Sequence, residues 1–220
     1  MENAATKLGQ VRENIARAAR IAGRKAEDIT LIAVSKTHSA EEIEPLLLAG
    51  QRIFGENRVQ EAQAKWPELR ERHPAAQVHL VGQLQSNKAD DAVAVFDCIH
   101  SLDRPSLVTA LGKAMARADK RVPCFIQVDI GEEDQKGGCA IADLPDLIAM
   151  ARAAEIPIIG LMCVPPAGIE PTPFFALLDK LASDHGLEGR SMGMSSDYEI
   201  AVQIGATHVR VGTALFGTRD

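Results

Sequence analysis

Apolar positions along this chain follow two alternating spacings. Short runs rich in aliphatic and β-branched residues fall at 30–35, 52–54, 78–81, 98–101, 123–130, 157–163, 189–192 and 207–211. All but the first have Gly, Pro or Asp at or beside an end, and each has the length of a strand. Between them, near 40–49, 57–72, 86–95, 104–118, 142–154, 173–185 and 196–204, apolar residues recur at the three- and four-residue spacing of a helix face. One more helix is predicted over 2–22. There Leu8, Val11, Ile15, Ala18 and Ala22 share one face, with Arg12, Arg17 and Arg20 between them.

Strands that alternate with helices form a parallel sheet, because each crossover carries a helix back over the sheet. Eight such units predict a single closed (β/α)8 barrel of the TIM type with an extra N-terminal helix, one domain over residues 1–220. A doubly wound open sheet is the alternative, but no GxGxxG follows the first strand. The Pro-rich piece 164–171 reads as a loop after a strand, with no interdomain linker anywhere.

Composition narrows the function. With a net charge of −6 and no basic cluster, nucleic acid is not the expected partner. No run of about 18 apolar residues is present and the N-terminus has no signal-peptide core, so no membrane contact and a cytoplasmic location are expected. Cys98, Cys124, Cys139 and Cys163 match no zinc spacing and read as reduced thiols, all but Cys139 set in or beside apolar runs.

In a barrel the working face is built from the loops at the C-terminal ends of the strands. The unusual polar residues collect there: 35–38 after strand one, 55–58 after strand two, 82–88 after strand three, 100–103 after strand four, 131–138 after strand five, 192–196 after strand seven and 210–213 after strand eight. Lys36 ends the first apolar strand. A lysine at a barrel mouth can become a nucleophile toward aldehydes, and a surface lysine capping a strand is the plainer reading. A Gly/Ser turn opening into a helix at Ser195, together with Gly212-Thr213, offers backbone N–H groups and hydroxyls to a phosphate. A phosphate site opposite a strand-one lysine suits pyridoxal 5′-phosphate (PLP). Arg210 is placed to meet either the ring nitrogen or the phosphate of such a ligand, or to make a salt bridge at the rim. Asn57 and Gln83 are neutral hydrogen-bonding groups at the mouth, suited to the phenolic oxygen or a water. Asn57, Ser86 and Asp103 are alternatively helix caps.

At these residues the sequence resembles the pyridoxal phosphate homeostasis protein family, relatives of the barrel domain of bacterial alanine racemase. The stretches that carry the resemblance are 33–37 (AVSKT), 54–61 (FGENRVQE), 82–88 (GQLQSNK), 99–103 (IHSLD), 160–162 (GLM), 191–195 (SMGMS) and 209–217 (VRVGTALFG). They run over nearly the whole chain in order. The resemblance implies a PLP Schiff base on Lys36 and a phosphate region at Ser195, Gly212 and Thr213, with Met194 beside it. It also implies an arginine, Arg210, that in the racemase relatives faces the ring nitrogen. Two departures stand out. Gln83 stands where many members carry His, and the fifth-strand loop 129–136 is one residue shorter than the commonest form.

Three functions compete. One is a PLP carrier that buffers the cofactor or delivers it to apo-enzymes without turnover. The second is a racemase, and the third an aldolase-like barrel using Lys36 without PLP. A two-base racemase needs a base on the far face of the ring, supplied in the relatives by a tyrosine of an added β domain. The barrel units fill this chain, and its single tyrosine, Tyr198, falls in a helix. An aldolase needs an acid or base deep in the barrel, for which Asp129 on strand five is the candidate. The carrier is the expected function, as a monomer, with Lys136 in the Gly-rich loop as a candidate for exchange during loading and release.

Overall fold

A computed structural model describes residues 3–133 and 137–217. Eight strands alternate with helices: β1 (Thr30–Val34), α2 (Ala40–Leu48), β2 (Ile53–Glu56), α3 (Val59–Arg72), β3 (Gln77–Leu80), α4 (Ala89–Val95), β4 (Cys98–Leu102), α5 (Pro105–Ala118), β5 (Cys124–Gln127), α6 (Leu144–Ala153), β6 (Ile158–Met162), α7 (Thr172–Asp184), β7 (Gly189–Ser191), α8 (Tyr198–Ile204) and β8 (His208–Val211). They are preceded by α1 (Ala4–Ile21) and followed by α9 (Thr213–Phe216). The strands close in sequence order, β1 to β8, all parallel. The closing pair sets Ile32 beside Arg210 and Ala33 beside Val211. The predicted (β/α)8 barrel and its N-terminal helix are therefore what the chain forms.

Each helix lays its apolar stripe on the outside of the barrel. In α1 the stripe is Leu8, Val11, Ile15, Ala18 and Ala19, and Asn3 caps the helix by accepting from Thr6 N–H at 2.8 Å. Ala19 takes the buried place expected of Ala22, which lies past the helix end. Trp66, Phe54, Phe96 and Phe175 are fully buried between strands and helices. Burying each such side chain is worth about 1.5–3 kcal/mol.

The inside of the barrel has a different character. Such interiors are usually filled by Val, Ile and Leu. Here strand β4 reads Cys98-Ile99-His100-Ser101-Leu102, and every residue is buried. With a period of two, Ile99 belongs to the outer core while Cys98 joins Phe125 and Met162 in a separate inner cluster. The inner layer also holds His79, His100, Ser191 and Arg210, all buried.

Most element ends differ from the sequence reading by one to three residues, and one short helix was not predicted. Strand β5 stops at Gln127, because Val128 leaves to form a bridge with Cys139. Helix α8 starts at Tyr198, three residues past Ser195. Helix α9 has too few residues to register as a helical spacing. Asn57, Ser86 and Asp103 do not cap helices: the cap positions of α3, α4 and α5 are Arg58, Lys88 and Arg104, and Asp103 instead pairs with Arg104 at 2.6 Å. All four cysteines are free and buried, Cys139 included. Burial pushes the thiols of Cys139 and Cys163 up to about 12, which keeps them protonated.

Candidate functional site

The turn after β1 carries Lys36 over the rim. Its next residue, Thr37, has φ +67°, a left-handed conformation that a β-branched side chain adopts at a cost. The surroundings hold it there. From α3, Lys65 Nζ donates to Ser35 O and His38 O, both at 3.0 Å, and pairs with Glu56 at 2.8 Å and Glu61 at 3.0 Å. Glu61 also accepts the N–H of Thr37. Glu56, fully buried, accepts from Ser35 Oγ at 2.6 Å and Trp66 Nε1 at 3.1 Å. Ser39 and Glu42 then close a capping box that starts α2. The sequence reading found Lys36 but gave no role to Glu56, Glu61 or Lys65. An acidic residue ending an apolar strand was the available signal, since buried carboxylates are rare unless paired.

Opposite this turn lie the loops after β7 and β8. Gly193 has φ +93°, and a Cβ there would stand 2.5 Å from Ala201 Cβ and 2.9 Å from Tyr198 Cα, so glycine is required. Asp197 Oδ1 accepts Met194 N–H at 2.6 Å and keeps 194–197 as a turn. Ser195 therefore sits in that turn and not at a helix start. Its Oγ accepts from Gly212 N–H at 3.1 Å and joins the two loops. Among the described residues, the N–H groups of Ser195, Ser196, Thr213 and Ala214 find no protein acceptor. The His38 ring stacks on Phe216 of α9 at 4.2 Å, so the lysine turn rests on the element that follows Gly212.

Arg210 lies between these loops on β8. It is buried, yet among the described residues no carboxylate forms an ion pair with it, so the rim salt bridge is not formed. It donates instead to Ser191 O, Ser191 Oγ and Cys163 O at 2.7, 2.6 and 2.8 Å. Burial lowers its pKa, but a guanidinium stays protonated in proteins. Asp197 acts on it only at a distance, and a buried cation without a carboxylate in contact is costly, so an acceptor offered by a bound ligand would be favoured there.

These groups surround one cavity of about 600 Å³, lined by Lys36, Asn57, Met194, Ser195, Ser196, Arg210, Gly212 and Thr213 with apolar walls from Val34, Val81 and Val164. Its size falls in the range of small-molecule sites, about 300–1,000 Å³. Seven of the eight residues singled out from the sequence are in this lining. The eighth, Gln83, is exposed and turned aside: its Nε2 donates to Gln127 Oε1 at 2.8 Å, and Gln127 in turn donates to Gly137 O at 2.7 Å. Asn57 is brought in by a close approach of two loops, because a Cβ on Gly82 would lie 2.4 Å from Asn57 O. Tyr198 is buried, and its hydroxyl accepts from Asn14 of α1 at 2.9 Å, outside the cavity lining. Asp129 lies past the end of β5, where its carboxylate accepts from Glu133 N–H at 3.3 Å, so the strand-five position read from the sequence does not hold. Lys136 lies outside the described residues.

A closed parallel barrel with a lysine after β1, an arginine in β8 and open N–H turns after β7 and β8 defines a class, the barrel of the alanine racemases. The family model for the alanine racemase N-terminal domain matches residues 6–220. Within that class the chain belongs to the pyridoxal phosphate homeostasis protein family. It is 38% identical over 230 residues to the pyridoxal phosphate homeostasis protein of Escherichia coli, covering 100% of this chain and 98% of that one. The same identity holds to the Pseudomonas aeruginosa protein, with 97% of that chain covered. Among solved structures it is similar to PipY of Synechococcus elongatus, at 40% identity over 92% of this chain and 100% of that one. The TM-score is 0.83 for the form without PLP and 0.81 for the form with PLP bound. An alanine racemase from Clostridium difficile shares the fold, with TM-score 0.76 at 16% identity; this chain aligns in full with 57% of it.

Proposed function

We propose that this protein binds PLP reversibly at Lys36 and serves PLP homeostasis by buffering and delivering the cofactor, without turning over a substrate. One observation carries the reading. A single cavity sets Lys36 across from a buried guanidinium with no carboxylate in contact and two turns with open backbone N–H groups. That donor set fits PLP, which carries an aldehyde at one position and a phosphate at another, and which supplies an aldehyde for reversible covalent capture by an amine. Lys36 Nζ would hold the aldehyde end as a Schiff base. The Ser195 turn, Gly212 and Thr213 would hold the phosphate, with Met194 against it, and Asn57 would meet the phenolic oxygen or a water. Arg210 would face the ring nitrogen. Gln83, turned toward Gln127, we assign to supporting the loop and not to direct contact.

The same residues favour a carrier over an enzyme. An arginine gives up no proton, so a ring nitrogen facing Arg210 stays unprotonated and the ring is a poor electron sink. A racemase needs a second base over the cavity, and the hydroxyl of Tyr198 is engaged with Asn14. The aldolase reading loses its acid–base candidate with Asp129 outside β5. We take the protein to be a monomer. Among the described residues no helix is long and apolar enough to cross a membrane. We place the protein in the cytoplasm, with apo-PLP-enzymes as recipients and neither nucleic acid nor membrane as a partner.

The test mixes PLP-loaded protein with an apo-PLP-enzyme, and separately with L-alanine. Recovery of enzyme activity with no D-alanine above a Lys36→Ala control is expected. D-alanine formed well above that control would overturn the carrier reading in favour of a racemase.

A further inference from the structure

Below the cavity, inside the barrel, a line of polar side chains runs on from Arg210 through three residues to which the PLP reading gives no task. Arg210 Nη1 donates to Ser191 Oγ at 2.6 Å. Ser191 Oγ lies 2.9 Å from His100 Nδ1, and His100 Nε2 lies 3.0 Å from His79 Nδ1. The four residues come from β8, β7, β4 and β3, and all are buried. Barrel closure alone brings them together.

The partners fix the direction of every proton. Ser191 has one hydroxyl proton, and its oxygen already accepts from Arg210, so the proton goes to His100 Nδ1. Neutral His100 then carries its proton on Nε2 and donates to His79 Nδ1, which leaves the proton of His79 on Nε2. The opposite polarity would leave the Ser191 hydroxyl without an acceptor among the described residues. Both rings are neutral. Burial holds His79 at about 4. Burial, followed by Coulombic opposition from His79, His208 and Arg210 to a further positive charge, holds His100 well below the ordinary range.

A line that ends in an arginine conducts no proton into the cavity, because the guanidinium does not release one. What it can transmit is orientation. Of the five guanidinium N–H groups, three are directed at Ser191 O, Ser191 Oγ and Cys163 O, which leaves two for the cavity that Arg210 lines. We propose that Ser191 and His100, backed by His79, are positioning residues that hold Arg210 with its two remaining N–H groups toward the ring of the bound cofactor. This deepens the PLP reading and rests on it.

The experiment uses full-length protein loaded with PLP: wild type, Lys36→Ala, Ser191→Ala, His100→Leu and His100→Asn. The readouts are the visible absorption band, the rate of PLP release to an excess scavenging amine, and circular dichroism as a check on folding. Ser191→Ala and His100→Leu are expected to move the band and to speed release by about tenfold, the effect of losing one buried hydrogen bond to a charged group. His100→Asn, whose Oδ1 can accept from Ser191 where Nδ1 did, is expected to restore both toward wild type. Folded Ser191→Ala and His100→Leu with the wild-type band and release rate would overturn the proposal, and either one suffices if the other fails to fold. The Lys36→Ala arm separates the two levels. A band present in wild type and lost in Lys36→Ala leaves the PLP reading standing, so unchanged Ser191→Ala then removes the positioning claim alone. A wild type without the band removes both. The ligand atoms of His79, Cys98 and His100 lie within 4.8 Å of one another. Stoichiometric zinc or copper in the purified protein would therefore replace the His79–His100 hydrogen bond and overturn the proposed polarity.

Discussion

Ser195 joins two turns through one hydroxyl, accepting from Gly212 N–H at 3.1 Å while its own N–H stays open to the cavity. Ser195→Ala removes that link and a donor for a phosphate. PLP affinity is expected to fall about tenfold, the scale of one charge-assisted hydrogen bond, while affinity for pyridoxal, which has no phosphate, stays within about twofold. An absorbance titration with both ligands checks this, and equal losses for the two would assign Ser195 to the aldehyde end or to the fold. Lys36, Asn57, Ser195, Arg210, Gly212 and Thr213 were all legible in the sequence for one physical reason. Each stands in β8 or just past the C-terminal end of a strand, where a barrel exposes its mouth. Gln83 shares that position but is turned away by Gln127, a partner 44 positions further on. His79, His100 and Ser191 were not legible as a group, because only closure of the sheet makes neighbours of residues up to 91 positions apart.

Among the elements, the β1–α2 turn depends most on its neighbours. Four backbone and carboxylate partners from 35 to 61 meet on the single amine of Lys65, whose side chain is 10% exposed. Lys65→Met leaves Glu56 fully buried and without its cation, and also releases Ser35 O and His38 O. Breaking a buried pair by removing one partner costs about 3–5 kcal/mol. In a chain of this size each kcal/mol lowers Tm by about 2–4 °C. A Tm drop of about 6–20 °C is expected, with PLP capture slowed because the turn that presents Lys36 is loosened; calorimetry and stopped-flow absorbance read the two effects. A Tm within 2 °C of wild type would show that water replaces the amine without loss. All eight strands and the seven intervening helices were readable from periodicity, but their ends were not. β5 is cut short by the Val128–Cys139 bridge, and α8 is delayed by the Asp197–Met194 hydrogen bond; both are set by contacts outside the element's own pattern.

Across the whole molecule, the barrel interior sets buried polar side chains beside the Cys98, Phe125 and Met162 cluster, and its imidazoles are held neutral. Burial brings His79 and His208 to about 4, from an ordinary value of 6.5. A folded-state pKa below the unfolded one means that the unfolded chain takes up protons first as pH falls. The stabilisation is therefore complete above about pH 6.5 and is lost progressively toward pH 4. Thermal melts are expected to be flat from pH 8 to 7 and to drop between 6.5 and 4. The carboxylates of Glu42 and Glu61, held below their usual range, add a further loss only below about 4.5. A Tm that stays flat down to pH 4.5 would contradict neutral imidazoles in the interior. The site at the mouth makes a claim that can be read in one reaction. Wild-type protein saturated with PLP is reduced with borohydride, digested, and its peptides mapped by mass spectrometry. The expected result is a single pyridoxyl-phosphate mass increment on Lys36, with loss of the visible band and no stable label in Lys36→Ala. A label spread over surface lysines, or a Lys36→Ala protein labelled to the wild-type extent, would contradict Lys36 as the tether.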